Sequence, residues 1–285
     1  MPPASNWSPR GLYTFGLLAA ISVSATIGAQ ERAYRGRDGS LLELTDDQVL
    51  AVLQDGEILA DQALGSGTTG VRRLELNLDG VVLRAVFRHV DRYETDLRMR
   101  DGTNYAGFYD RYSAECAAYE LGVMLGLDMI PPAALRRVSG DPGSVQLWVE
   151  DAMTEGDRGE RGLEPPDTAL WSRQQAILRG FDALIANHDR NTGNSLIDPD
   201  WNLWLIDHSR AFQVPRGRVS YDRVNQLPRE FWNAIVNLDV DEARNRLGDY
   251  LDRSQIRALF GRHQELIAHV ENLIAQRGTE AVLID

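Results

Sequence analysis

The sequence contains no lysine: all 30 of the basic residues in this chain of 285 are arginines. This absence excludes Schiff-base chemistry and lysine general bases. It also excludes a phosphate loop of the Walker type, because that motif needs its lysine to reach the phosphates. A coding bias toward arginine explains most surface positions, so only arginines that fall within a motif carry information about function.

Cysteine and excess basic charge are also scarce. The one cysteine, Cys116, has no partner for an internal disulfide, and its place in an apolar helical pattern predicts a buried, unreactive thiol. The formal net charge is -12 at pH 7. Nucleic acids and acidic lipid surfaces are bound by local excesses of basic charge, so neither is the expected main partner.

One uncharged stretch, residues 11–28, follows Arg10 and ends in small residues. This layout predicts a signal peptide over residues 1–29, with cleavage after Ala29. An uncleaved membrane anchor is the alternative, since roughly 18 apolar residues is near the lower limit for crossing a bilayer. Both interpretations predict an exported domain, in a periplasm, in a secretory lumen or outside the cell, with membrane contact only through this segment.

The rest of the chain changes from strand periodicity to helix periodicity. Alternating apolar residues predict strands over residues 58–64, 71–78, 81–88, 134–138 and 145–149. Helical spacing predicts helices over residues 44–53, 113–125, 170–187, 229–238, 241–251 and 254–277. Thr45 is the predicted N-cap of the first of these helices. Residues 91–111 are predicted to form a loop, 140–143 a turn, and 155–167 an exposed connection. Strands first and helices later is the order of an α+β fold.

Acidic and amide side chains concentrate between residues 187 and 207. Asp189 and Asn194 are five residues apart, and Asp207 follows a short predicted hairpin over residues 195–206. Phosphoryl transfer needs a carboxylate that accepts the proton of the attacking hydroxyl, and oxygen ligands that hold a metal ion against the phosphates. Asp189 suits the first task, while Asn194 and Asp207 suit the second. The alternative is structural: the aspartates cap turns and Asn194 closes a loop.

A glycine-rich segment lies upstream and has the spacing G-x-G-x-x-G. Its residues are Gly65, Ser66, Gly67, Thr68, Thr69 and Gly70. Dinucleotide-binding folds share this spacing, but in them a helix follows the glycines. Here a predicted β-hairpin follows, which is the arrangement in which a kinase loop closes over nucleotide phosphates. An ordinary glycine-rich turn is the alternative.

The Asp-Arg-x-x-x-Asn spacing of residues 189–194, with Ile206 and Asp207 following, resembles phosphoinositide kinases. It also resembles the secretory kinases of the four-jointed and Golgi casein kinase type and their bacterial relatives. The resemblance extends from about residue 53 to the C-terminus. It implies a two-lobed protein-kinase-like fold, with a β-rich N-lobe over residues 30–153 and a mainly helical C-lobe over 154–285. It also implies Asp189 as catalytic base, and Asn194 and Asp207 as ligands of Mg²⁺ or Mn²⁺.

Two further residues follow from this resemblance. Arg88 ends a predicted strand where such kinases carry their phosphate-binding lysine, and Glu115, in the next helix, is its implied ion-pair partner. Glu120 is the alternative partner. Arginine keeps the charge, but its planar fork is bulkier, so the exchange is not conservative. His208 and Ser209 stand where ordinary protein kinases have Phe-Gly, which fits the atypical families.

The expected activity is ATP-dependent transfer of the γ-phosphate to a hydroxyl of a protein, glycan or lipid head group. Two alternatives remain open. A pseudokinase would bind nucleotide without turnover, which the Arg88 exchange suggests. A metal-dependent hydrolase would use His188 and His208 beside the two aspartates.

Overall fold

The computed structural model describes residues 33–64, 70–98, 104–105, 107–214 and 219–285. The predicted signal peptide or anchor, residues 1–29, lies outside these ranges, and so do residues 65–69 of the glycine-rich segment. Within these ranges, no helix combines the length and the hydropathy that crossing a bilayer requires.

The first half of the described chain is rich in strands. In order, its elements are β1 (Tyr34–Arg35), β2 (Leu41–Leu42), α1 (Asp46–Asp55), β3 (Glu57–Ala63), β4 (Arg72–Leu78), β5 (Val81–Arg88), β6 (Asp91–Glu94), β7 (Leu97–Arg98), β8 (Asn104–Tyr105), β9 (Phe108–Arg111), α2 (Ser113–Met124), β10 (Ala133–Val138) and β11 (Asp141–Leu147). Five of the strands form one antiparallel sheet in the order β10-β11-β5-β4-β3. The five strands and the first two helices that periodicity predicted are confirmed.

Side-chain alternation explains why this sheet has two different faces. Along β5, Leu83, Ala85 and Phe87 are buried, whereas the residues between them are half-buried on the other side. The buried face packs against α1, which follows the capping residue Thr45. Thr45 and Gln48 exchange hydrogen bonds in a capping box, so the predicted cap is confirmed.

The second half of the chain is mainly helical. Its elements are β12 (Met153–Thr154), α3 (Glu155–Glu160), α4 (Thr168–Ile185), β13 (Ser195–Ile197), β14 (Leu203–Leu205), β15 (Leu227–Pro228), α5 (Arg229–Val236), α6 (Val240–Leu247), α7 (Arg253–Arg277), α8 (Thr279–Val282) and β16 (Leu283–Ile284). A large apolar cluster joins α4, α5 and α7 and also takes in α2. Cys116 of α2 lies in this cluster, and burial raises the pKa of its thiol, as expected for an unreactive cysteine.

The prediction of a loop over residues 91–111 is wrong. β6 pairs with β9 and β7 pairs with β8, so the segment is a pair of two-stranded ribbons. All four residues of β6 are exposed, and a strand with no buried face shows no apolar alternation. Tyr93 and Tyr109 pack against each other across the ribbon, with ring centroids 4.9 Å apart.

Two other boundaries differ from the prediction. The expected exposed connection over residues 155–167 begins with the short helix α3, which Thr154 and Asp157 start with a capping box. The expected turn at 140–143 is confined to Ser139 and Gly140, both at positive φ. Gly143 lies within β11, where a side chain would collide with Phe87 on the neighbouring strand.

The buried face of the sheet gives a test of this packing. Leu74 of β4 is fully buried beneath α1, so Leu74→Ala should lower the free energy of unfolding by about 2–5 kcal/mol in urea denaturation. Leu135, on β10 of the same sheet, is 42% exposed, and Leu135→Ala should change it by no more than about 0.5 kcal/mol. Equal costs for the two variants would contradict the two-faced sheet.

Candidate active site

Arg88, the last residue of β5, joins the sheet to two acidic residues. Its Nη2 lies 3.2 Å from Oδ2 of Asp207, and its Nε lies 3.6 Å from Oε1 of Glu115. Glu120, the alternative partner, instead pairs with Arg246 of α6 at 2.6 Å. The structure therefore brings Arg88 together with Glu115, as the resemblance implied, and adds Asp207 as a second contact.

Glu115 is a fully buried carboxylate held by more than one donor. The backbone N of His208 donates to both of its oxygens at 3.0 Å, and Nδ1 of the same residue lies 3.3 Å from Oε2. Burial raises the pKa of Glu115, but the hydrogen bond from His208 and the charge of Arg88 outweigh it, so the pKa lies below its ordinary value. Glu115 is therefore an ionised partner for Arg88.

His208 links this carboxylate to a second arginine. Nη2 of Arg190 lies 3.0 Å from His208 Nε2, and a guanidinium can only donate. In the neutral imidazole, Nε2 therefore accepts and the ring proton lies on Nδ1, facing Glu115. Both ring nitrogens of this fully buried histidine are engaged, which disfavours the alternative in which His208 is a metal ligand of a hydrolase.

Arg190, adjacent to Asp189, holds the segments that carry the acidic residues. Its Nη1 donates to the carbonyl oxygens of Asn194, at 2.5 Å, and Ile206, at 2.8 Å. Its Nε and Nη2 donate to the carboxylate of Asp182 on α4 at 3.0 and 3.1 Å. Sequence reasoning missed this role, although the Asp-Arg spacing already marked the residue.

Asp189 and Asn194 lie on the loop that follows α4. Nδ2 of Asn194 donates to the carbonyl oxygen of Asp189 at 3.0 Å, which leaves Oδ1 as the amide atom suited to a cation. The Asp189 side chain is 44% exposed, and its Oδ2 accepts from Arg210 Nη1 at 3.1 Å. Arg210 also donates through Nε to Asp110 of β9 at 3.0 Å.

Asp207 lies at φ 58°, in the left-handed region that non-glycine residues rarely adopt and that is common at active sites. Burial raises the pKa of Asp207; Arg88 partly offsets this, Glu115 raises it further, and the net value lies above the ordinary one. One cleft is lined by Asp207, Asp189, Asn194 and Arg88 together.

Asp110, Ser209 and Arg210 line the same cleft. Sequence reasoning did not find Asp110 and Arg210, and it named Ser209 only as a departure from Phe-Gly. Ser209 Oγ donates to Asp110 at 2.8 Å, which fixes the carboxylate that Arg210 also contacts. Asp110 escaped notice because its ribbon was predicted as a loop. Of the glycine-rich segment only Gly70 is described; it lies at φ +61°, and a side chain there would collide with the ring of His89.

The residues of the cleft fit a divalent ion bound together with phosphates. Among the described residues, no group of three or more His, Cys, Asp or Glu side chains could hold a metal ion by itself. Asn194 and Asp207 nevertheless offer an amide and a carboxylate oxygen in one cleft. Mg²⁺ is commonly bound by one or two carboxylates plus substrate phosphates, so this donor set suits that mode.

The arginine at the centre of the loop provides a stability test. The Arg190 and Asp182 side chains are both 10% exposed, so Arg190→Met leaves a buried carboxylate without its charged partner. We expect a loss of about 3–5 kcal/mol in the free energy of unfolding. Arg244→Met, which removes a 53% exposed partner of Asp241, should cost about 1 kcal/mol or less. Similar losses would show that Arg190 does not hold the loop.

Comparisons with known proteins support the fold. No protein-family model matches the chain. Protein Rv2133c of Mycobacterium tuberculosis (strain ATCC 25618 / H37Rv) is 26% identical over 204 residues, which is 62% of this chain and 70% of that protein.

Two solved structures share the fold over most of their length. The structure of hydra Fam20 with sugar has a TM-score of 0.61 at 16% identity and covers 84% of this chain and 91% of its own. The structure of the Golgi casein kinase has a TM-score of 0.62 at 16% identity, and the match covers 84% of this chain and 79% of that chain. The chain, sheet-rich first and helical later, therefore has the atypical kinase-like fold of these proteins.

Proposed function

We propose that the protein is an ATP-dependent phosphotransferase that moves the γ-phosphate to a hydroxyl of a protein, glycan or lipid head group. The observation that carries the proposal is that Arg88, paired with the buried Glu115, meets Asp207 in the cleft that Asp189 and Asn194 also line. In this proposal the sheet-rich part is the N-lobe, the helical part is the C-lobe, and the nucleotide lies between them.

Arg88 would take the place of the usual phosphate-binding lysine. Its Nε faces Glu115 and its Nη2 faces Asp207, so Nη1 is the group that would meet a phosphate oxygen. A lysine would present its three donors from a single nitrogen, whereas the guanidinium spreads its donors over three nitrogens in a plane. Glu115, buried and ionised, would keep the fork in place.

Asp189 would accept the proton of the attacking hydroxyl. Its side chain is exposed in the cleft, and Oδ2 accepts a hydrogen bond from Arg210. Oδ1 is therefore the oxygen that would take the proton of the attacking hydroxyl. Arg210 is therefore a positioning residue for Asp189, and Asp110 fixes Arg210 in turn.

Asn194 and Asp207 would hold the divalent ion. When bound, Mg²⁺ or Mn²⁺ would neutralise the charge that develops on the phosphates. The chain contributes the alignment of the two ligands: Arg190 bonds the Asn194 carbonyl and the carbonyl of Ile206, directly before Asp207.

Replacement of the proposed base tests the reaction. Asp189→Asn keeps the shape of the side chain but cannot accept a proton, so transfer of labelled γ-phosphate with Mg²⁺ or Mn²⁺ should fall by about 10²- to 10⁴-fold. Asp241→Asn, at an 89% exposed position of α6, should leave the rate unchanged. A rate for Asp189→Asn equal to that of the unmodified protein would refute Asp189 as the base.

The pseudokinase alternative is separated by binding measured without transfer. Arg88→Met removes a charged donor to the phosphates and should weaken Mg·ATP binding by about 10- to 100-fold in calorimetry, while Arg88→Lys should lose less. Arg257→Met, at an exposed site on α7, is the control. ATP binding that depends on Arg88, with no transfer to any tested hydroxyl, would favour the pseudokinase.

A further inference from the structure

A second groove lies on the same face of the sheet as Arg88. Because Leu83, Ala85 and Phe87 are buried on one side of β5, Arg84 and Arg88 share the other side. They are four residues apart, or about 13 Å along the strand. An extended nucleoside triphosphate can bridge that separation with its phosphates at Arg88.

Three arginines surround this groove. The residues that line it include Arg37, Ala60, Gln62, Arg73, Glu75 and Arg84. Trp148 follows β11 and extends its ladder, since its backbone N donates to the Arg84 carbonyl at 2.9 Å. The guanidinium carbons of Arg73 and Arg84 each lie 5.8 Å from the centroid of a Trp148 ring, so an aromatic surface supports both arginines.

The groove is rich in hydrogen-bond donors. Arg84 pairs with the buried Glu150, and Arg37 with Glu75 at 3.1 Å. Arg73 donates instead to the neutral Oε1 of Gln62 at 2.7 Å, so this contact does not balance its charge. Burial lowers the pKa of Arg84, and the charges of Arg73 and Arg37 lower it further, against the opposing charges of Asp151 and Glu75.

We infer that this groove receives the base of the nucleotide and that its arginine donors favour guanine over adenine. Guanine presents two adjacent acceptors, O6 and N7, which a guanidinium bonds in a bidentate manner, whereas adenine presents an amino donor in place of O6. The planar guanidinium of Arg73 also offers a surface for stacking. The inference rests on the proposed function; ATP remains a substrate because the phosphate end of the site is the same.

Calorimetric titration of the full chain with Mg·GTP and Mg·ATP tests the inference. We expect GTP to bind about tenfold more tightly than ATP, as one bidentate arginine contact to guanine provides. Arg73→Met should remove that preference. Arg73→Lys keeps the charge without the fork, so it should also lose the preference. Arg137→Met, at an exposed position of β10, should leave both dissociation constants unchanged.

Four outcomes would overturn the inference. ATP binding as tightly as GTP would remove its basis, and so would a preference that survives in Arg73→Met. Inorganic triphosphate weakened by Arg73→Met as much as GTP would identify an anion site rather than a base site. Binding of neither nucleotide would refute the proposed function as well, whereas ATP binding without a guanine preference leaves that function standing.

Discussion

The candidate site depends on one buried charge, the carboxylate of Glu115. Removing a carboxylate from water costs several kcal/mol, so it remains ionised only where donors surround it. Here the donors come from two different parts of the chain: Arg88 ends a strand of the sheet, and His208 follows the metal-ligand candidate Asp207. The same contacts that satisfy the carboxylate therefore place Arg88 and Asp207 within 3.2 Å of each other. The contacts that stabilise the buried carboxylate are therefore also the contacts that align Arg88 and Asp207 in the cleft.

The absence of lysine has a structural counterpart in how the arginines are used. Arg88 divides its guanidinium between two acids, Arg190 bonds two carbonyls, a carboxylate and an imidazole, and Arg210 bridges Asp110 and Asp189. Each task uses a planar group with several fixed donors, which an ammonium does not provide. At the surface, arginine in place of lysine changes little. Inside the cleft, the arginines form a network in which Asp207 pairs with Arg88 and Asp189 pairs with Arg210.

Periodicity predicted the elements that have a buried face, and residue spacing predicted two of the acids that share the cleft, Asp189 and Asp207. Alternation in β4 and β5 and the Thr45 cap of α1 are local signals, and the structure has them where the sequence predicts. The β6–β9 ribbon has no such signal, because the exposed β6 has no buried face, and so Asp110 and its contact to Arg210 could not be foreseen. His208 shows a different limit. Its two partners, Glu115 and Arg190, lie 93 and 18 residues away from it in the sequence. A pattern within one segment cannot encode contacts of that kind.

The packing of α2 determines which part of the molecule fixes Glu115. Cys116 and Leu121, on the same helix, are buried in the cluster that contains Phe181 and Leu184 of α4, while the buried face of the sheet forms a separate cluster with α1. The same helix also packs against β10 and β11, so Glu115 lies between the helical cluster and the sheet. The 3.6 Å contact between Arg88 and Glu115 therefore joins the end of β5 to a helix that packs against both parts of the molecule.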